Sequence, residues 1–528
     1  MDSKVQISQA AGAVGGMTLI SRIFGFLRDT IIAMVFGSSM AADAFFVAFR
    51  LPNMQRRLLG EGAVSAAFIP VFAETLGEKG KEEGWSLANS LLNILCLLLL
   101  IMVAGMMVFA PWIIMGFAPG FLDQPEKYTL TVELTRWMAP YLLFIGLAAL
   151  LMGILNTFKV FAIPASAPIL LNVSMILSVL FLSPQLEEPI WGLAVGVLIG
   201  GAVQFLIQVP AVIKKGYVWK PQMQWKRPEI VRIGKLMIPV ILGLAVYEIN
   251  ILVDTILASL LPGGSISYLY YGNRLVQLPL GVFGVALGVA ILPLLSEQAA
   301  QKDFQKLTST LAFGIRLILF VTVPATVGLA VLRFPIVNTL WERGEFTLLS
   351  TQGTASALLF YSVGLCAFAG IKVIAPAFYS LQDTRTPAKI AAYSLVLNIL
   401  LNLILMGPLG HGGLALATSL SAIFNVGCLI FCIRKKLGLM GGRKIAVSSA
   451  KLAVSSFLMG IAVFAINDAF FDPSANLSYK ILVLFGEIAV GVGVFLASSR
   501  LFKNQELDFI AGLIRSDNRN HARRNIPE

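Results

Sequence analysis

Long apolar runs recur along the whole chain, separated by short clusters of Gly, Pro and charged residues. Residues 88–112, 141–158 and 480–499 are typical of them, and about 20 apolar residues are enough for a helix to span a hydrocarbon core of roughly 30 Å. Reading the runs against their breaks predicts transmembrane helices near residues 10–36, 42–76, 86–115, 128–157, 160–183, 190–213 and 229–261. The series continues near 267–296, 307–333, 351–380, 387–407, 412–433, 445–467 and 479–502, fourteen in all. The first run is read as a span, not a cleaved leader, because it carries Arg22, Arg28 and Asp29 and has no uninterrupted apolar stretch before a small-residue cleavage site.

Composition agrees with a membrane solvent. The 528 residues are 57% hydrophobic and 13% charged, where a soluble domain carries roughly 25% charge. The net charge of +12 is largely topological. Lys79, Lys81, residues 214–235, Lys302, Lys306, Arg385, Lys389, residues 434–444 and the tail to Arg524 fall on one side of the predicted spans, whereas the other side holds Lys127, Arg343 and little else. That asymmetry predicts both termini in the cytoplasm and removes a nucleic-acid reading. Cys96, Cys366, Cys428 and Cys432 lie within apolar runs and offer no disulfide framework. His411 and His521 lie in no metal-ligand spacing, so neither a metalloenzyme nor a bound cofactor is expected.

The chain also repeats itself at an offset of about 224 residues. Asp29-Thr30-Ile31-Ile32-Ala33 answers to Asp254-Thr255-Ile256-Leu257-Ala258, Arg50-Leu51 to Arg274-Leu275, Ile69-Pro70 to Leu292-Pro293, and Pro164 to Pro387. Six spans per repeat keep the two halves in the same orientation, as in transporters with parallel repeats. The expected organisation is an all-α polytopic membrane protein with two six-helix lobes, residues 1–215 and 216–436. Two extra helices follow over 437–505, with a cytoplasmic tail at 506–528. The extra pair is expected to form a groove for a lipid tail.

Charges inside the spans are the chemical signal. An Arg or Asp at a helix centre costs about 2.5–3.5 kcal/mol on the insertion scale, and such residues face a bundle interior or a water-filled cavity. The first two spans hold Arg22, Arg28, Arg50, Arg56 and Arg57 against Asp29, Asp43 and Glu61, and the eighth adds Arg274 between Asn273 and Gln277. Asp43, Arg50 and Arg57 lie seven apart, which places them on one helix face that Asn53 and Glu61 extend. Helix ties and snorkelling would account for some of these arginines, Arg56 and Arg57 above all. The excess of positive charge favours a cationic cavity between the halves that receives an anion. Arg suits phosphate there because its planar fork donates in pairs and stays charged. Pro52, Gly60 and Gly62 in the second span, and Pro279, Gly281, Gly284 and Gly288 in the eighth, mark places where those helices break.

The residues match a known pattern. Ser21-Arg22-Ile23-Phe24-Gly25-Phe26-Leu27-Arg28-Asp29, residues 42–53 (ADAFFVAFRLPN), Glu61-Gly62-Ala63, residues 270–275 (YYGNRL) with 279–286 (PLGVFGVA), and Asp383-Thr384-Arg385-Thr386-Pro387 closely resemble the MurJ (MviN) family of lipid II flippases. The resemblance covers nearly the whole chain. It implies a MOP-superfamily exporter fold in a bacterial inner membrane. It also implies a substrate, the undecaprenyl-pyrophosphate-linked disaccharide-pentapeptide, moved from the cytoplasmic to the periplasmic leaflet by alternating access for peptidoglycan synthesis. Arg22, Arg28, Arg56 and Arg274 stand where that family places its cavity arginines, and Asp29, Asp43, Arg50, Asn53, Arg57, Glu61, Ser267, Asn273 and Gln277 complete the expected substrate-binding set. Some relatives carry acids where this chain has Asn273 and Gln277, which makes this site more positive.

Competing readings are an O-antigen-type flippase, a MATE-like exporter, and a membrane-embedded glycan polymerase. The last needs a catalytic acid on the outer face, and Glu342 and Glu345 there read as a solvated loop. The expected partners are lipid II, membrane lipids and peptidoglycan-synthesis proteins. Asp254, Asn398, Asn402 and Thr418 offer oxygen ligands without Cys or His, which suits a coupling ion, sodium or a proton on Asp254.

Overall fold

The computed structural model describes residues 3–509 and Gly512; the side chains of residues 3–14, 59–61, 63 and 247 lie outside the described set, as does most of the tail expected over 506–528. Among the described residues there are only helices and their connections. Apart from short 3-10 turns at Pro119–Asp123 and Ser183–Gln185, they are in chain order α1 (Ser3–Phe36), α2 (Met40–Gln55), a π-helical segment (Arg56–Ala63), α3 (Val64–Phe117), α4 (Pro125–Met138), α5 (Tyr141–Thr157), α6 (Ala162–Leu177), a second π-helical segment (Ser178–Leu182), α7 (Ile190–Leu206), α8 (Val209–Ile213) and α9 (Pro228–Ser259). There follow α10 (Ser265–Pro279), a third π-helical segment (Leu280–Gly284), α11 (Val285–Ala300), α12 (Phe304–Val331), α13 (Arg333–Trp341), α14 (Leu348–Val363), α15 (Leu365–Ser380), α16 (Arg385–Leu409), α17 (His411–Leu437), α18 (Gly442–Phe470) and α19 (Leu477–Leu501).

All fourteen stretches expected to span the membrane are helical. By length and apolarity alone, eleven helical segments among the described residues qualify as spans, or twelve when α14 and α15, bent by 42°, are taken as one. The first two expected spans explain part of the difference. Arg22, Arg28 and Asp29 interrupt the apolar run of α1, and α2 ends after 16 residues where the π segment begins. α3 is two helices in one, because Gly80 takes a left-handed, non-helical conformation (φ 83°) at the charged turn between the second and third spans.

The chain divides into two compact units, residues Met1–Ser267 with Arg343–Thr347, and residues Tyr268–Glu342 with Leu348–Glu528. In the first unit α3 packs on α5, α4 and α9, α6 on α1 and α7, and α2 on α4. α9 therefore belongs to this unit, although the repeat offset aligns it with α1. The segment at 343–347 is tied to the end of α1 by backbone contacts: the Glu345 N–H donates to Met34 O at 2.9 Å. Gly37 (φ 58°) and Gly344 (φ 58°) permit the approach, since an added Cβ on either would lie 2.2 Å from a backbone oxygen. The second unit packs α16 on α17, α15 on α11, α12 and α17, and α18 on α12 and α19. Phe320, Leu332, Leu452, Met459, Val463, Leu484 and Phe495 form the shared core of α12, α18 and α19. Glu487, buried in α19, accepts a hydrogen bond from Asn467 Nδ2 at 2.9 Å, so this intramembrane acid clips α18 to α19.

The two units carry the same local device. The π segments at 56–63 and 280–284 begin at the repeat offset, each preceded by a helix-breaking Pro, Pro52 or Pro279. A proline removes an i→i−4 hydrogen bond and crowds the preceding turn, and a π-bulge absorbs the resulting misfit.

Asp383 sets the entry to α16. Its carboxylate accepts from the Thr386 N–H (3.0 Å) and hydroxyl (2.6 Å) and pairs with Lys436 at the end of α17. The Lys436 ammonium, then the Thr386 donors, hold the carboxyl well below its ordinary range. A carboxylate whose folded pKa is depressed adds stability above its unfolded pKa of about 3.9, and that stability is lost as pH falls toward the folded value. D383N should therefore lower Tm at pH 7 and pH 5, and the gap from wild type should close progressively below about pH 4. A gap that stays constant with pH would assign the effect to packing instead.

Candidate anion site in the first unit

In α1, Arg28 and Asp29 are both buried, at 9% and 0% exposure. Arg28 Nε and Nη2 donate to Asp29 Oδ1 at 2.9 and 2.5 Å. Its Nη1 donates to Asn172 Oδ1 of α6 at 3.1 Å, and Asn172 Nδ2 donates to Ser21 O at 3.2 Å. Asn172 thus fixes both the guanidinium and the turn that precedes Arg22. The sequence signal for it is a lone amide in an otherwise apolar run. Arg22 is half-buried, seven residues before Asp29, and among the described residues it has no hydrogen-bond or ion-pair partner.

In α2 the expected common face divides. Asp43 is 1% exposed, pairs with Lys127 at 2.8 Å, and accepts from the Gly264 N–H, the Ser267 N–H and the Ser267 hydroxyl at 2.8, 3.0 and 2.6 Å. Lys127 also lies 4.1 Å over the Phe121 ring. Asp43 and Ser267 therefore form a closed, buried network that joins α2, α4 and the start of α10, with no open face for a ligand. Seven residues on, half-buried Arg50 donates to the Thr255 hydroxyl of α9. Arg57 leaves the series because it falls in the π segment, where the 3.6-residue period no longer holds. It pairs with Glu248 of α9 at 3.5 Å, and Glu248 is 5% exposed. Arg56 Nε donates to Asn53 Oδ1 at 2.9 Å, so Asn53 orients Arg56. The Glu61 side chain lies outside the described residues.

The structure brings Arg50, Asn53, Arg56 and Arg57 of the second span together with Glu248 and Thr255 of α9. Sequence reasoning missed Glu248, which sits two turns before Asp254 in an apolar helix and offsets part of the positive excess. The remaining arginines present several guanidinium forks in a partly buried setting. There a phosphate oxygen gains more from paired, charged donors than it would in water.

Arg274, Asn273 and Gln277 lie on α10 in the second unit; Arg274 and Asn273 are half-buried, Gln277 is exposed, and Gln277 Nε2 donates to Asn273 Oδ1 at 3.4 Å. The oxygen donors expected for a cation are divided. Asp254 belongs to the first unit. Asn398, Asn402 and Thr418 cluster in the second, with Asn402 Nδ2 donating to Asn398 Oδ1 at 3.0 Å and Asn398 Nδ2 to Thr418 Oγ1 at 3.5 Å. These neutral donors alone supply no charge to a metal ion, and no cluster of three His, Cys, Asp or Glu occurs among the described residues. Glu342 accepts from the Thr351 hydroxyl at 2.6 Å.

Helices in this order, two of them passing into π-helix at the repeat offset, match the transporter fold of the MOP superfamily. An inward-facing multidrug resistance MATE family transporter of that superfamily superposes with a TM-score of 0.65 at 17% identity, covering 83% of this chain and 99% of that one. The chain belongs to the MurJ family: the family model "Lipid II flippase MurJ" matches residues 32–485. A "Probable lipid II flippase MurJ" from Vibrio cholerae serotype O1 is 40% identical over 502 residues, 92% of this chain and 94% of that protein. A solved structure of "Lipid II flippase MurJ, inward closed conformation" matches with a TM-score of 0.78 at 30% identity, covering 93% of this chain and 98% of that one.

Proposed function

We propose that this protein is a lipid II flippase of the bacterial inner membrane. It is a transporter and not an enzyme, and it turns the lipid-linked peptidoglycan precursor from the cytoplasmic to the periplasmic leaflet by alternating access. The observation that carries the reading is the set of intramembrane arginines on α1, α2 and the first π segment, in a chain that aligns along nearly its whole length with a lipid II flippase. A pyrophosphate has four or more acceptor oxygens, and guanidinium forks meet them in pairs. Residues pinned by neighbours, such as Arg28 by Asn172 and Arg56 by Asn53, reach an anion already oriented, which lowers the entropy cost of binding it. The π segments mark where each unit's broken helix can change shape as the headgroup passes. A MATE-like role fits less well, since a cationic drug would meet positive charge.

The termini are assigned to the cytoplasm on the basis of the lysine and arginine asymmetry. Coupling to a sodium or proton gradient through Asp254 is part of the proposal, and undiminished flipping after both gradients are collapsed would remove it. The test of the function itself is complementation. Expressed in a bacterium whose own lipid II flippase is depleted, this chain should restore growth and rod or coccal shape. Failure to do so, with the protein present in the membrane, would overturn the assignment.

A further inference from the structure

A second concentration of positive charge lies in the second unit, in residues that the anion site does not use. A crevice of about 230 Å³ opens where α18 begins and the chain leaves α19. Arg443, Lys444 and Lys451 of α18, Lys503 beyond α19 and Arg316 of α12 line it, and the one acid among its lining residues is Glu506. Glu506 is 2% exposed and lies 3.3 Å from Arg316, so its charge is already committed. Arg316 Nη1 also donates to Gln505 Oε1 at 3.2 Å, and Lys451 Nζ to Lys503 O at 3.2 Å. The Arg443, Lys444 and Lys503 side chains have no such partner among the described residues.

Charge alone would be a solvated patch. Two buried groups say otherwise. Asn504 also lines the crevice, is 2% exposed, and has neither its amide nitrogen nor its amide oxygen hydrogen-bonded; Arg316 Nε is likewise buried without a partner. A buried polar group left without a partner is unfavourable, and a ligand that supplied the partner would relieve it. The local backbone holds Asn504 in this place: Lys503 takes a left-handed conformation (φ 53°), and the Asn504 N–H donates to Ser499 O at 3.0 Å. No side chain caps the first turn of α18, whose amides add positive potential at the same end.

The surroundings indicate what kind of anion fits. The crevice sits at the ends of two helices, α18 and α19, that are long and apolar enough to cross a membrane, and the end of such a span is where lipid headgroups lie. Val447 lines its edge, and Val454, Leu458 and Ile461 follow at seven, four and three residues, continuing the same face of α18; all four are exposed. A charged crevice that runs into an apolar stripe suits an amphiphile better than a soluble phosphate, and basic pockets between membrane helices are known to take anionic lipid headgroups. The volume accommodates a phosphodiester. We propose that this crevice binds the phosphodiester of an anionic phospholipid, with one acyl chain lying along the α18 stripe.

The test uses the purified full-length protein in detergent, titrated with phosphatidylglycerol or phosphatidylcholine. Bound lipid is counted by mass spectrometry of the intact complex, with Tm read in parallel. Wild type should retain phosphatidylglycerol in preference and gain Tm from it. The triple variant R443Q/K444Q/K451Q should bind it about fivefold more weakly for each charge removed, with its Tm in phosphatidylcholine unchanged. K435Q, an exposed charge on α17 away from the crevice, should bind as wild type does. Should the triple variant fail to fold, K444Q takes its place, with a loss of about fivefold expected. Wild-type retention by the crevice variants, or an equal loss in K435Q, would overturn the proposal. So would inorganic phosphate alone giving the full rise in Tm, because the ligand would then be a soluble anion.

Discussion

Arg22→Ala is expected to abolish growth support in the flippase-depleted strain while leaving the amount of protein in the membrane unchanged. Arg22 is the cleanest probe of the anion site because, among the described residues, it has no partner that its loss would strand. Removing one charged hydrogen-bond donor to a phosphate forfeits about 1.5–3 kcal/mol, or roughly tenfold to hundredfold in headgroup affinity. Arg22→Lys keeps the charge but loses the paired fork, and it should rescue only in part. Arg28→Ala is a poorer probe. It leaves Asp29, fully buried, without its guanidinium, and a loss of folding would be confused with a loss of binding. Arg274→Ala asks the same question of the second unit, and its full activity would confine the anion site to the first. If Arg22→Ala supports growth as wild type does, Arg22 is not a substrate ligand.

The second large effect is on stability. Asp43→Ala should cost about 3–5 kcal/mol, because it strands the Lys127 ammonium at 3% side-chain exposure and removes the acceptor of three further hydrogen bonds. Lys127→Ala should cost a similar amount, for the mirrored reason. The double variant Asp43→Leu with Lys127→Met removes both charges together and should recover a substantial part of the loss. Tm in detergent and the level of protein in the membrane read the outcome. An Asp43→Ala protein with wild-type Tm and no growth support would instead make this carboxylate a direct participant in transport.

The contrast between Arg22 and Asp43 shows what the chain discloses on its own. Both stand out as charges in apolar runs, and the spacing of Asp43, Arg50 and Arg57 by sevens suggests a single working face. The spacing is a property of an ideal helix, and Pro52 ends that regularity. The π segment that follows turns Arg57 toward Glu248, while Lys127, from a connection that reads as an exposed loop, folds in over Phe121 to neutralise Asp43. Side-chain pairing across helices far apart in sequence leaves no periodic trace, so Glu248 and Asn172 were not legible as site residues. The helices themselves were, because length and apolarity act locally. Pro52 and Pro279 were visible too, and the structure adds that each precedes a π segment, the two segments starting at the repeat offset. The Asp383-Thr384-Arg385-Thr386-Pro387 stretch, legible only as a resemblance, turns out to be a helix entry held by Lys436.

This chain moves lipid II between leaflets. The most direct test is a leaflet-specific assay of lipid II in cells that depend on this protein, made before and after its depletion, with Arg22→Ala expressed alongside. Lipid II should be accessible from the periplasmic side while the wild type is present. After depletion, or with Arg22→Ala alone, it should accumulate on the cytoplasmic side. Unchanged periplasmic access after depletion would contradict the account.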